Sequence, residues 1–171
     1  ICPRYYFNYT KIIMWFFLRI KIDDLSHPKV AELLQQHLDD MYAMSPAESV
    51  HALDLEKLRK PDITFWTAWQ QQDLLGCAAL KILSTQHDEI KSMRTARQHL
   101  RKGVAAKMLE HIIQQATIRD LQRLSLETGS QAFFQPAIAL YKGYGFEFCE
   151  PFSNYKTDPN SKFMTLVLKR G

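Results

Sequence analysis

The chain has 171 residues, of which 46% are hydrophobic, and its formal net charge is +4. This length and apolar content predict one globular domain with a substantial core. The mild charge, without a dense run of lysines and arginines, argues against a nucleic-acid-binding protein. Three cysteines without C-x-x-C spacing and six dispersed histidines predict a reducing, cytoplasmic setting with no disulfide framework and no metal site.

The first 17 residues differ from the rest of the chain. They contain most of a seven-residue apolar run, 12–18, which follows Arg4 and Lys11. The run is shorter than the roughly 20 residues that a membrane helix needs, and Arg19-Ile20-Lys21 follows it in place of a small-residue cleavage site. We therefore expect residues 1–17 to be an extension, residues 18–171 to form the domain, and the protein not to associate with a membrane.

The first elements in chain order are a strand and two helices. Alternation of apolar and basic residues predicts a strand over residues 18–22. Ser26-His27-Pro28 begins a helix with an apolar stripe, which Ser45-Pro46 ends. A loop or short turn over 47–51 and a second short helix over about 53–58 follow.

Three strands come next. β-Branched and aromatic residues predict strands over residues 63–69 and 74–83, and the short polar turn between them makes the pair antiparallel. A second turn leads into a strand over 89–95. This strand runs into a glycine-containing turn and the central helix.

The glycine turn, residues 100–105, is the most informative stretch. An apolar stripe at helical spacing follows it, at Val104, Met108, Leu109, Ile112, Ile113 and Ala116. The first turn of such a helix presents unpaired N–H groups and a positive dipole end, and Gly103 has no Cβ to block a ligand. Arg101, Lys102 and Lys107 add charge there. These features favour an anion site, with a pyrophosphate as its ligand, although solvated basic residues at an ordinary helix start remain the alternative.

The last third of the chain alternates strands with one helix. Residues 123–128 read as a strand, and the helix before it implies a parallel crossover. Pro136 begins a helix that Gly143 and Gly145 end. Strands follow from Phe146 and over 163–168, around a polar loop, 151–161. The order β α α β β β α β α β β predicts a single-domain α/β fold of the mixed α+β kind, in which helices flank a mixed, largely antiparallel sheet.

This order and two motifs resemble the GNAT superfamily of acyl-CoA-dependent N-acetyltransferases, in particular its small uncharacterised bacterial members. The family's R/Q-x-x-G-x-G/A turn matches at Gly103 and Ala105 and departs at Leu100. Its A-x-x-x-Y-x-x-x-G-F segment matches residues 137–146, including Tyr141. An Asn that often lies seven residues before the Tyr is Phe134 here. The resemblance implies the GNAT fold and acetyl-CoA as co-substrate without a metal.

The resemblance also implies roles for individual residues. The cofactor-binding residues would be Met93, Arg94, Thr95, Leu100, Arg101, Lys102, Gly103, Val104, Ala105, Phe134 and Tyr141. Backbone N–H groups at 93–95 would bind the pantetheine arm and stabilise the oxyanion, and the glycine turn would bind the pyrophosphate. Tyr141 would protonate the departing thiolate, whereas the alternative is a tyrosine that only packs in the core.

The base that deprotonates the amine has two candidates, Glu89 and Glu127. Glu89 lies fourteen residues before Gly103, as in the histone-acetylating branch of the family, and Lys91 shares its face of the strand. Glu127 faces away from Leu124 and Leu126. Either carboxylate can instead belong to a structural ion pair, and attack through a water chain needs neither. Segments 44–51 and 151–161 would rim the acceptor pocket, where Glu48, His51 and Asp158 would hold a cationic acceptor unless they are merely solvated.

The sequence thus predicts an N-acetyltransferase that acts on a primary amine of a small molecule or peptide, as a monomer or homodimer. A non-catalytic CoA-binding or regulatory module on the same fold is the alternative, because a fold does not determine a function. Nucleic-acid binding through the basic helix start is a third interpretation, which the modest charge disfavours.

Overall fold

The computed structural model of this protein describes residues 18–168. The predicted N-terminal extension, residues 1–17, lies outside the described residues. Within 18–168 the chain forms seven strands and four helices, which are β1 (Leu18–Ile22), α1 (Pro28–Met44), α2 (Leu55–Leu58), β2 (Ile63–Gln70), β3 (Asp73–Ser84), β4 (His87–Thr95), α3 (Val104–Ile118), β5 (Arg123–Gly129), α4 (Gln135–Gly143), β6 (Glu147–Phe148) and β7 (Ser161–Val167). Three short 3₁₀ turns occupy residues 47–49, 97–99 and 132–134. The predicted order of elements is confirmed.

The strands form one sheet in the order β1-β2-β3-β4-β5-β7-β6. Every neighbouring pair is antiparallel except β4 and β5, which are parallel because α3 connects them by a crossover. The mixed, largely antiparallel sheet with flanking helices confirms the predicted fold class. The two strands of this central parallel pair, β4 and β5, pair along only part of the length of β4.

Two strands, β4 and β7, begin two residues before their predicted starts. β4 begins at His87 and not at Glu89, because Asp88 is buried on the sheet and lies 3.9 Å from an Arg119 guanidinium nitrogen. A polar residue at that position looked like part of a turn in sequence, but burial against a partner lets it occupy a strand. β7 begins at Ser161, two residues before the predicted start, and β6 has only two residues.

Two hydrophobic clusters cover the two faces of the sheet. The larger cluster joins α3 and α4 to the sheet through residues such as Met108, Ile112 and Tyr141. The smaller cluster joins α1 and α2 to the other face through Leu34, Leu58 and Trp69. The predicted stripe of α3 is confirmed, since Val104, Met108, Leu109, Ile112 and Ala116 are all buried. Along residues 18–168, no helix is both long and apolar enough to cross a membrane.

Candidate active site

The parallel strands β4 and β5 separate at the centre of the sheet. Their pairing runs from His87 beside Arg123 to Ile90 beside Leu126 and ends there, although β4 continues to Thr95. A cleft of about 970 Å³ opens beyond this point. It reaches from the α1 side of the sheet to the first turn of α3, and Met93, Arg94 and Thr95 line it.

A bulge in β4 determines which side chains face each side of the cleft. The pairing with β3 shifts register between Cys77 and Ala79, and Ser92 opposite this shift has a φ of 50°. Met93 then packs with the cluster on the α3 side, whereas Arg94 reaches Asp40 on α1. Consecutive side chains alternate in any strand, but the extra residue reverses the phase of the alternation, so Met93 packs on the same side as Ile90, three residues earlier, and Arg94 faces α1.

The glycine turn forms one end of the cleft. Arg101 and Gly103 both have left-handed backbones, with φ of 58° and 84°, and Gly103 directly precedes α3. Leu100, Arg101, Gly103, Val104 and Ala105 line the cleft, and Leu100 is 53% exposed. Lys102 is exposed but is not among the lining residues. The first turn of α3, whose N–H groups lack intrahelical partners, therefore borders the cleft, and a helix start of this kind suits an anion.

Tyr141 lines the same cleft from α4. Its side chain is 7% exposed, and its hydroxyl donates to the Met93 sulfur on β4 at 3.5 Å. Burial raises the pKa of this phenol, so the hydroxyl keeps its proton. Phe134 is also buried and lines the cleft, and a Cβ on Gly129 would lie 2.1 Å from the Phe134 ring. Phe134 therefore contributes an apolar wall where the family often has an Asn.

Glu89 lies in a buried ion pair. It is 2% exposed, and its Oε1 is 3.2 Å from the Lys91 ammonium. The Tyr155 hydroxyl donates to the same oxygen at 2.6 Å and accepts from Lys91 at 2.7 Å. The expected pairing with Lys91 is confirmed. Glu89 is not among the residues that line the cleft, and its role as base stays a prediction.

Glu127 is the carboxylate that reaches the cleft. It is half-buried on β5, lines the cleft, and accepts a hydrogen bond from the Ser161 hydroxyl at 2.7 Å. Leu124 and Leu126 point into the core on the other face, as predicted. Burial raises the pKa of Glu127, and nearby Lys91 and His51 only partly offset this effect. A carboxylate of this kind takes up a proton more readily than an exposed one.

The two predicted rims contribute unequally to the cleft. Ser45, Ser49 and His51 line it from the first rim. Glu48 is exposed, Asp158 accepts from the Asn160 backbone N–H at 2.8 Å, and neither is among the lining residues. Of the three side chains expected to hold a cation, the cleft therefore brings in His51.

No individual site role was predicted for Tyr155, Ser161 or His37. Tyr155 and Ser161 lie 66 and 34 residues from the carboxylates that they contact. His37 lines the cleft from α1, where sequence showed only a polar residue beside the apolar stripe. The polar character of the second rim was the one signal for Tyr155, and no local pattern identified its partner.

This fold and cleft define an acyl-CoA-dependent transferase. The Acetyltransferase (GNAT) family model matches residues 30–146. The chain therefore belongs to the GNAT acetyltransferase family, and the protein is an acetyltransferase.

Named relatives agree with this assignment. The uncharacterized N-acetyltransferase YsnE of Bacillus subtilis is 60% identical over 88% of this chain and all of its own length. The uncharacterized N-acetyltransferase YedL of Escherichia coli is 52% identical over 87% of this chain and 94% of its own. A Bacillus subtilis acetyltransferase solved in complex with CoA has the same fold, with a TM-score of 0.67 and 18% identity over 89% of this chain and 99% of its own.

Proposed function

We propose that this protein transfers an acetyl group from acetyl-CoA to a primary amine of a small molecule or peptide, by direct attack in a ternary complex. One observation carries the proposal. A single cleft brings together the glycine turn, the separated end of β4, the Tyr141 hydroxyl and the Glu127 carboxylate. These groups supply anion binding, alignment of the thioester, a proton donor and a proton acceptor.

The cofactor would lie between β4 and the start of α3. Residues 103–105 line the cleft, and the N–H groups at this helix start suit the pyrophosphate. The edge of β4 at 93–95, which no longer pairs with β5, suits the pantetheine arm. Backbone donors in this strand would also stabilise the oxyanion of the tetrahedral intermediate. Leu100 adds no polar contact, and Arg101 is the adjacent basic side chain in the lining.

Tyr141 is suited to act as the acid. A buried phenol with a raised pKa is a poor base but keeps a proton that it can donate. Its contact with Met93 places the hydroxyl beside the strand segment where the thioester would lie. Tyr141 would therefore donate its proton to the thiolate as that group leaves.

Glu127 is better placed than Glu89 to act as the base. Glu89 accepts hydrogen bonds from both Tyr155 and Lys91 on one oxygen and lies outside the cleft lining. Glu127 lines the cleft, and burial raises its pKa toward the range in which a base works near neutral pH. We therefore assign proton removal to Glu127 and structural support to Glu89.

Direct attack is favoured over an acetyl-enzyme intermediate by the cysteines of the described part. Burial raises the pKa of Cys77 to about 12, so it holds almost no thiolate at neutral pH. The pKa of Cys149 is also raised by burial, and this residue is not among those that line the cleft. The amine would then attack the thioester itself.

The test is thiol release from acetyl-CoA with a panel of amines, amino acids and peptides. Initial rates at several fixed concentrations of each substrate should give intersecting double-reciprocal lines, as a ternary complex requires. Parallel lines would contradict direct attack. Tight CoA binding without amine-dependent thiol release would support the non-catalytic alternative.

A further inference from the structure

Three residues that line one side of the cleft each carry a buried polar atom without a protein partner. These atoms are Nδ1 of His37, Oγ of Ser92 and Nε of Arg94. Between residues 18 and 168, six buried side-chain atoms lack a partner, and half of them belong to residues of α1 and β4 that line this cleft. We call these three residues the donor corner. An unpaired buried polar atom costs free energy, and a bound ligand can remove that cost.

The atoms of the donor corner are suited to donate. The Nε–H of Arg94 can only donate, and the Ser92 hydroxyl can donate or accept. Burial, with the nearby charge of Arg94, lowers the pKa of His37 to about 4, so its ring is neutral at pH 7 and carries one N–H. A group with several acceptor oxygens matches these atoms.

The charges around the donor corner favour an anion. Asp40 pairs with Arg94 and with Arg97, the latter at 2.6 Å, so two arginines against one aspartate leave one positive charge. The Lys91 charge is already matched by Glu89. One excess positive charge fits a carboxylate, which carries one negative charge and two acceptor oxygens.

Glu127 supplies the opposite charge on β5, across the opening between the strands. The cleft therefore presents an excess positive charge on the α1 and β4 walls and a carboxylate on the β5 wall. A ligand that carries both an ammonium and a carboxylate complements this arrangement.

We propose that the acceptor is an amino acid or a related amine with a carboxylate, whose carboxylate is bound by the donor corner and whose amine faces Glu127. The inference rests on the proposed function and adds the substrate class. It predicts that the acceptor carboxylate contributes to acceptor binding and that the side-chain atoms of the donor corner do not serve the cofactor, which the backbone of 93–95 would bind.

The first experiment compares matched acceptors at saturating acetyl-CoA. Each α-, β- or ω-amino acid is tested beside its carboxamide and its decarboxylated amine. We expect kcat/KM for the best acid to exceed that of its two partners by about tenfold or more, because a charge-assisted hydrogen bond is lost in each partner. Equal or faster acetylation of the amides and simple amines would overturn the substrate class while leaving the acetyltransferase function intact. Absence of thiol release with every amine would contradict the function itself.

The second experiment changes the donor corner. Arg94→Lys keeps the charge beside Asp40 and removes the Nε donor, and Ser92→Ala removes the hydroxyl. Each should raise KM for the acid about tenfold or more, with little change for its amide and with KM for acetyl-CoA unchanged. A rise in KM for acetyl-CoA, with the acceptor KM constant, would assign these atoms to the pantetheine arm and overturn the proposal.

His111→Gln is the matched control. His111 also has a buried ring nitrogen without a partner, but it packs against Trp66 and is not among the residues that line the cleft. Its substitution should leave both KM values unchanged. Melting temperatures of all three variants check that each protein is folded.

Discussion

The two sides of the cleft are built in different ways. The side proposed for the cofactor consists mainly of one contiguous segment, from Leu100 to the first turn of α3, where backbone N–H groups would bind the ligand. The side proposed for the acceptor consists of side chains from α1, β4, β5 and the neighbouring loops, such as His37, Arg94 and Glu127. A backbone site depends on local conformation, whereas a side-chain site depends on how distant elements pack. The cofactor side should therefore respond to changes in backbone freedom, and the acceptor side to changes in single functional groups.

The largest expected effect is on the cofactor side. Gly103→Val should lower kcat/KM for acetyl-CoA by about a thousandfold or more, since two or three charge-assisted hydrogen bonds to the pyrophosphate would be lost. Valine adds bulk in the place of the phosphate, and its branched Cβ is strained at a φ of 84°. Isothermal titration with acetyl-CoA measures the loss.

Gly143→Val is the control for this change. A Cβ at Gly143 has no heavy atom within 4 Å, and the φ of this residue is not positive. Its acetyl-CoA affinity should match that of the unchanged protein. If Gly103→Val binds acetyl-CoA as well as this control does, the pyrophosphate does not lie over the glycine turn.

The next effect concerns Glu127, the carboxylate that lines the cleft. Glu127→Gln should lower kcat by about a hundredfold to ten-thousandfold, because it removes the proton acceptor and keeps the shape. Acetyl-CoA affinity should stay the same. Steady-state rates and titration measure the two quantities separately.

Glu89→Gln should show a different pattern. It leaves the Lys91 charge buried without a carboxylate, so the free energy of unfolding should fall by about 3 kcal/mol. Urea denaturation measures this loss, and the folded fraction should retain most of its kcat. A large fall in kcat for Glu89→Gln with none for Glu127→Gln would make Glu89 the base.

Tyr141→Phe should have an intermediate effect. It deletes the proton donor and keeps the ring, so kcat should fall roughly ten- to a thousandfold while stability changes by about 1 kcal/mol or less. An acyl donor with a more acidic thiol should reduce the loss, since that leaving group needs less help. Tyr144→Phe is the control, because the Tyr144 hydroxyl donates to exposed Glu110 at 2.8 Å outside the cleft lining. Full activity of Tyr141→Phe would leave Tyr141 as a core residue only.

A smaller effect concerns how the free energy of unfolding depends on pH. The folded-state pKa of Glu127 lies above its unfolded value, so the folded state binds a proton more tightly. Its contribution to stability is therefore favourable below the unfolded pKa and is lost as the pH rises through the folded pKa. Glutamine at position 127 carries no charge at any pH, so the stability of Glu127→Gln should not fall as the pH rises through the folded-state pKa of Glu127. The variant should therefore be as stable as the unchanged protein at pH 7, or more stable. Denaturation curves at pH 4 and pH 7 measure the difference, and a clear loss of stability at pH 7 would contradict it.

The smallest expected effect is a change in acetyl-CoA affinity, on the side of the cleft proposed for the cofactor. Leu100→Gln restores a side chain that the family often has at this position, and Leu100 lines the cleft in an exposed place. One added hydrogen bond should tighten acetyl-CoA binding by about two- to tenfold. Leu100→Met, which adds no donor, should leave the affinity unchanged. Equal affinities of the two variants would show that backbone groups alone bind the cofactor here.

The same contrast explains which features the sequence could predict. The glycine turn, the α3 stripe and the strand order depend on local spacing, and they agree with the structure. The ion pair of Glu89 with Lys91 was also predictable, because the two residues are two positions apart on one strand. Contacts such as Tyr155 with Glu89 join residues 66 positions apart, and no local pattern encodes them. The bulge at Ser92 was likewise not predicted, since alternation along a strand gives no sign of an extra residue.

The extra residue of the β4 bulge at Ser92 determines which selective constraints act on positions 93 and 94. Met93 faces α3 and Arg94 faces α1, so under the proposed function neighbouring codons would serve different binding partners. Substitutions at position 94 would then change acceptor choice without disturbing the wall beside Tyr141, and substitutions at position 93 would do the reverse. Deleting one residue here would restore simple alternation and exchange the two roles, so drift in this strand should proceed by replacement and not by change of length.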